Sequence, residues 1–384
     1  MTETAAPVSR RRRRIWIGVA LALTIGVVVA SAPITRAHLR AAALLLRATG
    51  NTGRLASLYD EPIVEENFLL RSRWGTFRAR IYRPRDGAPH HGIVLAHGVH
   101  FMGIDEPRLI PFARNLARAG LTVMTPELAA LADYRIHAST VDELRVAIRT
   151  LDESAYAARG GVTVMGLSFA GGLALVAAAD RSMRGRVSTV VSFGGHHDLY
   201  RVSRFLATDT LETPSGERHM RAHDYGLIVY FYAHAEQFVA ADQLLAFRDA
   251  LRQMLHYDRR DGERAGRALA GEARVLFDQI LHNDKPALRP RVLATIPALR
   301  AEMAALSPAG HLEGLRGVDV ILMHGAADDV MPPTEAEDNA RELERVTHVH
   351  LLLSPNIHHV TVEGELSARE RWRLLHTMAL VLGG

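Results

Sequence analysis

Short apolar runs alternate with helical repeats along most of this chain. The runs have the length and composition of buried strands and lie at Gly92–Ala96, Leu121–Met124, Val162–Gly166, Val187–Phe193, Val318–Met323 and Val349–Leu353. Between two of them, apolar residues recur at helical spacing at Leu109, Phe112 and Leu116, and Gly120 follows as a helix stop. Strands that alternate with helices predict a mostly parallel sheet with helices on both faces.

Alternation and capping patterns predict further elements of the same layer. In Thr76–Tyr82 apolar residues alternate with polar ones, and Phe68–Tyr82 as a whole is predicted to form a β-hairpin ahead of the parallel strands. Thr140 and Glu143 have the spacing of a capping box and predict the start of a helix. Ser367 and Glu370 have the same spacing and predict the start of a C-terminal helix.

The alternation of strands and helices stops after Phe193. Across residues 199–308 the sequence predicts helices without convincing strands. Part of this segment is unusually apolar, notably Gly226–Tyr232, and Phe247 and Leu251 belong to one face of an amphipathic helix. We therefore expect a helical insertion between two strands of the sheet.

An uncharged segment near the N-terminus, Ile15–Ile34, follows a cluster of arginines at Arg10–Arg14. Its 20 residues would form a helix of about 30 Å, enough to cross a bilayer. The positive-inside rule then keeps the N-terminus cytoplasmic and puts the rest of the chain on the other side. A cleaved signal peptide is the alternative, because Ala30–Ala32 resembles a cleavage site, although Pro33 directly after it is unfavourable. The predicted segments are a basic N-terminal tail at 1–14, a transmembrane anchor at 15–34 and a helical stem at 35–60.

Composition excludes several classes of function. The chain of 384 residues is 48% hydrophobic and 23% charged, as in ordinary globular proteins. Its formal net charge is only +4, and five of the arginines lie together at Arg10–Arg14, so no basic surface for nucleic acid is predicted. Cysteine is absent, which excludes disulfides, thiolate metal sites and a cysteine nucleophile.

Histidine pairs raise the question of a metal site. The chain has 20 histidines, with pairs at His196/His197 and His358/His359, but no H-E-x-x-H sequence. A P-loop and a dinucleotide-binding glycine pattern are also absent from the sequence. We therefore expect neither a catalytic metal nor a cofactor.

A serine stands where one strand run ends and a helical run begins. The sequence Gly166-Leu-Ser168-Phe-Ala170 follows the run from Val162 and leads into an alanine-rich helix. A serine on such a sharp turn is held above the sheet, and small residues are needed two positions before and after it. The segment resembles the G-x-S-x-G nucleophile elbow of the α/β-hydrolase superfamily, with Ala170 in place of the second glycine.

This resemblance implies that a carboxylate and a histidine follow Ser168 in the chain, each after a later strand. His324–Pro332 is similar to the superfamily's H-G-x-x-D-x-x-V-P acid segment, with Met331 in the place of the usual valine or isoleucine. By that match Asp328 is the acid. Asp198 is the alternative, because some members of the superfamily place the acid after the earlier strand.

The resemblance also suggests the base and the oxyanion donors. His358 and His359 follow the last predicted strand; we prefer His359 as the base and keep His358 as the alternative. The usual glycine before the catalytic histidine is missing here. His97–His100 resembles the H-G oxyanion segment, which would place the backbone N–H groups of Val99 and Phe169 at the oxyanion. His97 itself is expected to be structural, packing behind this loop.

The expected fold class is α/β, an α/β-hydrolase fold with a core at 61–198 and 309–384, a helical cap at 199–308 and an N-terminal transmembrane helix. The expected function is hydrolysis of an ester-type substrate by Ser168, His359 and Asp328 through an acyl-enzyme. A catalytically inactive membrane-anchored binding or scaffold protein and an acyltransferase with the same triad are the alternatives. We expect an apolar acyl substrate, bound beside a membrane. Cap residues such as Phe231 and Phe247 are expected to line part of its site. The alternative is that these residues only pack the cap onto the core.

Overall fold

The computed structural model describes residues 10–50 and 53–383, and only the backbone of residues 10–14, 30 and 31. Residues 1–9 of the predicted basic tail, and the side chains of its arginines, lie outside the described residues. The strands are β1 (Ile63–Ser72), β2 (Gly75–Pro84), β3 (Gly92–Ala96), β4 (Thr122–Pro126), β5 (Val162–Leu167), β6 (Val187–Phe193), β7 (Thr210–Thr213), β8 (Gly216–His219), β9 (Asp319–Gly325), β10 (Val349–Ser354), β11 (Ile357–His358) and β12 (Thr361–Val362).

The α-helices lie between these strands and before them. They are α1 (Arg10–Ser31), α2 (Pro33–Ala48), α3 (Arg54–Leu58), α4 (Leu109–Arg118), α5 (Ala129–Ala132), α6 (Ala138–Asp152), α7 (Phe169–Ala178), α8 (Leu199–Thr208), α9 (Asp224–Ala233), α10 (Ala241–His256), α11 (Arg259–Gly266), α12 (Gly271–Leu281), α13 (Lys285–Ala305), α14 (Pro333–Leu343) and α15 (Ala368–Val381).

Eight of the strands form one central sheet in the order β1-β2-β4-β3-β5-β6-β9-β10. The β1–β2 hairpin and the β2–β4 pair are antiparallel. The other six strands of this sheet, β4, β3, β5, β6, β9 and β10, run parallel to one another. The expectation of a mostly parallel sheet is therefore confirmed. Parallel strands bring their carboxyl ends to one edge, so the loops that follow β3, β5, β6, β9 and β10 lie at the same edge of this sheet.

Helices cover both faces of the sheet, as β3 shows. Successive residues of a strand point to opposite faces. Ile93 and Leu95 pack in one cluster with residues of α4 and α15, whereas Val94 and Ala96 pack in another with residues of α6 and α7. This burial on both sides explains why the strand reads as a continuous apolar run.

The start of α6 differs from the capping-box prediction. The helix begins at Ala138, and the imidazole of His137 accepts a hydrogen bond from the Ser139 N–H at 3.1 Å. His137 thus takes the N-cap position, and Thr140 and Glu143 fall inside the helix and are buried. The corresponding prediction for α15 is confirmed, since the Ser367 hydroxyl accepts from the Glu370 N–H at 3.2 Å.

The inserted segment contains α8 to α13 and also a small hairpin, β7–β8, which the sequence did not predict. Asp209 directly follows α8 with a φ of +56°, and this left-handed residue ends the helix and turns the chain into the hairpin. Strands of four residues are too short for an alternating pattern to be recognised.

At the N-terminus, no described helix has on its own the length and hydropathy needed to cross a membrane. The segments Ile15–Val29 and Pro33–Ala48 meet the requirement only as a pair, bent by 74°. Helix α2, part of the predicted stem, packs on the core through Ala37, Ala41 and Leu44.

Candidate active site

Ser168 lies in the turn between β5 and α7, at the carboxyl edge of the sheet. Its φ of +56° and ψ of −134° are strained for a serine, and its N–H donates to the Phe193 carbonyl at 2.7 Å. A Cβ on Gly166 would lie 2.1 Å from the Ala170 carbonyl oxygen, so only glycine fits at that position. Ala170 itself is fully buried, which shows that the elbow accommodates the methyl group that departs from the superfamily pattern.

His359 occupies the tip of a two-residue hairpin between β11 and β12. Its φ is +53°, a left-handed conformation that two-residue hairpins require and that most side chains avoid. A Cβ on Gly325 would lie 2.3 Å from the Ile357 carbonyl oxygen, so the glycine lets the β9 loop approach this hairpin closely. The histidine and acid segments are thereby brought side by side.

The three predicted residues form a continuous hydrogen-bonded chain. His359 Nε2 lies 2.7 Å from Ser168 Oγ, and His359 Nδ1 lies 2.9 Å from Asp328 Oδ2. An ionised carboxylate only accepts, so Nδ1 carries the proton towards Asp328 and Nε2 accepts from the serine hydroxyl. This is the arrangement in which a histidine serves as a base towards a serine.

Asp328 is fixed and charged at the buried end of this chain. Its side chain is fully buried, and its Oδ1 accepts from the Val330 and Met331 N–H groups, both at 2.9 Å. Burial alone would raise the pKa of the Asp328 carboxyl, but hydrogen bonds from His359 and Met331 and the nearby imidazoles hold that pKa below its ordinary value. The carboxylate therefore stays ionised beside His359.

Neither alternative residue belongs to this hydrogen-bonded chain, although His358 lines the same cavity as Ser168. Asp198 is the N-cap of α8, and its Oδ1 accepts from the Tyr200 N–H at 2.8 Å. His358 is exposed in β11, with its carbonyl accepting from the Thr361 hydroxyl at 2.9 Å. Neither side chain hydrogen-bonds to the side chain of Ser168, His359 or Asp328.

The two predicted oxyanion donors flank Ser168. Phe169 is the first residue of α7, so its N–H has no acceptor within the helix. Val99 lies in the loop after β3, and a Cβ on Gly98 would be 3.3 Å from Ser168 Cβ, which shows how closely this loop approaches the elbow.

His97 orients the peptide unit that carries the Val99 N–H. His97 Nε2 accepts from the Leu128 N–H at 2.9 Å, so the proton lies on Nδ1, which donates to the Gly98 carbonyl at 2.7 Å. Burial lowers the pKa of His97, which keeps the ring neutral in this tautomer. His97 is thus structural, as expected, and it holds the peptide unit between Gly98 and Val99.

A cavity of about 520 Å³ opens above Ser168. Most of its wall is apolar, from Leu109 and Phe112 of α4 and from other residues, namely Val99, Leu167, Phe193, Val330 and Val360. Arg108 also lines it, and this arginine is paired with Glu106 at 2.6 Å. The cavity therefore suits a mainly apolar group.

The expectation that Phe231 and Phe247 line this cavity is wrong. Both rings are fully buried inside the inserted segment, where Phe231 packs on Phe238 with ring centroids 4.7 Å apart. Of the described residues in that segment, Tyr225 lines the cavity. Sequence reasoning missed Tyr225, because one tyrosine before an apolar run carries no signal of its own.

The histidine pairs do not assemble into a metal site. Among residues 10–50 and 53–383, the structure contains no cluster of three or more histidine, aspartate or glutamate side chains that could hold a metal ion. The side chain of His196 is buried with Nε2 next to the Leu306 carbonyl, and His197 pairs with Glu342.

Comparisons with known proteins find similarity at the level of structure alone. No protein-family model matches the chain, and no curated protein matches it. Prolyl oligopeptidase B from Galerina marginata aligns with a TM-score of 0.50 at 14% identity, over 87% of this chain and 38% of that one. An esterase from Pyrobaculum calidifontis aligns with a TM-score of 0.47 at 17% identity, over 98% of this chain and 98% of that one. A Pyrococcus horikoshii acylaminoacyl peptidase aligns with a TM-score of 0.47 at 12% identity, over 84% of this chain and 41% of that one.

The chain thus spans well under half the length of the two peptidases. At 14% identity, the alignment with prolyl oligopeptidase B at a TM-score of 0.50 concerns the fold alone. Together with the sheet order and the strand-to-helix turn at Ser168, it confirms the fold that the sequence resemblance implied. The chain has the α/β-hydrolase fold.

Proposed function

We propose that this protein is a serine hydrolase that cleaves carboxylic esters through an acyl-enzyme. The observation that carries the proposal is the chain from Ser168 Oγ through His359 to Asp328, with hydrogen bonds of 2.7 and 2.9 Å. A serine hydroxyl is a poor nucleophile unless a base removes its proton. The strained φ values of Ser168 and His359 support the same proposal, because such strain concentrates at functional sites.

In the proposed reaction, His359 Nε2 takes the proton from Ser168 Oγ as the oxygen attacks the ester carbonyl. The Val99 and Phe169 N–H groups stabilise the oxyanion that forms, and one such donor contributes about 3 kcal/mol to the transition state. Asp328 stabilises the imidazolium without taking its proton. His359 then gives the proton to the leaving alkoxide, which departs as an alcohol, and a water activated by the same histidine releases the acid.

The cavity supports an apolar acyl or alkyl group as the substrate feature that is recognised. Its apolar wall includes Leu109 and Phe112, and the charge of Arg108 is balanced by Glu106. Burial of each methylene group contributes about 0.8 kcal/mol, so a longer chain should bind better until the cavity is full.

A series of p-nitrophenyl esters tests the proposal. We expect kcat/KM for the hexanoate to exceed that for the acetate by about tenfold or more, since each methylene group adds binding in an apolar pocket. A monosuccinate ester of similar length is the control and should be a poorer substrate than the hexanoate. Equal rates for all three esters would contradict the apolar site, and no hydrolysis by folded protein would contradict the function.

We also propose that the apolar segment 15–34, which covers most of α1 and the start of α2, anchors the protein in a membrane, with the catalytic domain outside the cytoplasm. Supporting this, every side chain described between Ile15 and Val29 is exposed and uncharged. His38 of α2 lies against α15, with its Nε2 3.1 Å from His376 Nδ1, and the His376 ring contacts His350 at the amino end of β10. The anchor would thus join the edge of the sheet opposite to Ser168, and the substrate would arrive from the aqueous side rather than from within the bilayer.

A reporter enzyme that is active only outside the cytoplasm tests this topology when fused to the C-terminus. We expect an active fusion, because the arginine cluster before the apolar segment retains the N-terminus in the cytoplasm. A well-expressed but inactive fusion would place the catalytic domain in the cytoplasm instead.

A further inference from the structure

The backbone of Val99 is held on both sides. The peptide unit before it, which carries its N–H, is held by His97 through the Gly98 carbonyl at 2.7 Å. The peptide unit after it is held by Tyr225, whose hydroxyl donates to the Val99 carbonyl at 2.9 Å. His97 belongs to the core of the fold, whereas Tyr225 belongs to α9 in the inserted segment.

The segment that carries Tyr225 also contacts the acid loop. Tyr225 is the second residue of α9, and its N–H donates to the imidazole of His223, the N-cap, at 3.1 Å. The His223 N–H donates to the Asp329 carbonyl at 2.8 Å, next to Asp328. Residues 223–225 therefore bridge the loop of Val99 and the loop of Asp328, and Tyr225 also lines the cavity.

A network of polar side chains, Asp209, Lys285 and Arg259, holds residues 222 and 224, which lie before and within this bridge. The Ala222 N–H donates to Asp209 Oδ1 at 2.7 Å, and the Ala222 carbonyl accepts from Lys285 Nζ at 3.0 Å. Lys285 also pairs with Asp209, and Asp224 pairs with Arg259. The chain's single lysine is thus used to hold the residue just before the bridge.

We propose that Tyr225 is a positioning residue for the oxyanion donor Val99, which makes the cap part of the catalytic apparatus. The proposal rests on the proposed function, since it concerns the oxyanion of the same reaction. An oxyanion donor stabilises the transition state most when its N–H already points to the position of the developing charge. A mobile donor must be reoriented in each turnover, which reduces this stabilisation. With its two flanking peptide units held by His97 and Tyr225, Val99 has little freedom to reorient its N–H.

The direction of the Tyr225 hydroxyl distinguishes this role from packing alone. Burial raises the pKa of its hydroxyl, so the group remains a protonated donor. The hydroxyl is directed to a backbone carbonyl of the active-site loop, whereas the Tyr230 hydroxyl, on the same helix, bonds to Thr295 Oγ1 at 2.8 Å inside the cap. Tyr230 therefore provides a matched control.

The test compares Tyr225→Phe with Tyr230→Phe, since each variant keeps the ring and loses one hydroxyl and one hydrogen bond. For a p-nitrophenyl ester we expect Tyr225→Phe to lower kcat by about tenfold, part of the loss that follows removal of a whole oxyanion donor. KM should stay within about twofold, because the donor acts mainly in the transition state. Tyr230→Phe should leave both constants close to those of the wild type.

Amide hydrogen exchange over residues 97–102 provides a readout that needs no activity. Tyr225→Phe should speed exchange in this segment, and Tyr230→Phe should not. Equal kcat values and equal exchange in the two variants would overturn the proposal. If the wild type hydrolyses no ester, the proposed function fails, and the exchange comparison alone then decides whether Tyr225 holds this loop.

Discussion

His359→Ala is expected to lower kcat for ester hydrolysis by about six orders of magnitude, the scale of loss when the base of a serine triad is deleted. The reason is geometric: His359 Nε2 lies 2.7 Å from Ser168 Oγ and is the group that can remove its proton. The measurement is kcat on a p-nitrophenyl ester, with circular dichroism to establish that the variant is folded.

His358→Ala is the matched control for this prediction. The two histidines are adjacent, but the imidazole of His358 is exposed and makes no hydrogen bond to Ser168 or Asp328. Its removal should change kcat by less than about tenfold, as expected for a group outside the triad. A larger loss of kcat in His358→Ala than in His359→Ala would show that the base is His358 and not His359.

Asp328→Asn is expected to lower kcat by about 10⁴-fold, because an amide in this position favours the wrong histidine tautomer. The Asp328 side chain is fully buried and accepts from His359 Nδ1 at 2.9 Å, so the substitution acts directly on that ring. The substitution keeps the shape of the side chain, and kcat is again the quantity to be measured.

Asp198→Asn tests the alternative acid under the same conditions. Asp198 caps α8 through the Tyr200 N–H, and asparagine is also a good N-cap, so both stability and kcat should change little. If Asp198→Asn proved more damaging than Asp328→Asn, the acid would be Asp198 and the arrangement around His359 would need another explanation.

The elbow and the sheet were predictable because their sequence signals are local. A strand buried on both faces reads as a continuous apolar run, and the order of these runs gave the mostly parallel sheet. Gly166, Ser168 and Ala170 stand at fixed spacing because one turn brings them together. The same holds for the loop of Asp328, which follows β9 directly.

What the sequence did not reveal depends on contacts between distant segments. The direction of the Tyr225 hydroxyl is set by the docking of α9 against the loop after β3, which no local pattern records. The capping-box prediction at Thr140 and Glu143 was wrong because the helix begins earlier, with His137 as its N-cap. The positive φ of His359 is a further feature that only the backbone shows.

The inserted segment shows how apolar content alone can mislead. Phe231 and Phe247 were expected near the substrate because they are apolar and lie in a cap. Their rings fill the interior of that segment instead, and the cavity wall comes largely from core loops and from α4. Helices that pack on each other as well as on the sheet need apolar residues for their own core.

Covalent labelling with a fluorophosphonate is the most direct test of whether Ser168 is an activated nucleophile. The full-length protein should gain one adduct per chain, and peptide mapping by mass spectrometry should locate it on Ser168, while folded Ser168→Ala should gain none. This result would separate an active serine hydrolase from an inactive binding protein with the same fold. Absence of an adduct on folded wild-type protein, or an adduct that persists in Ser168→Ala, would contradict the account.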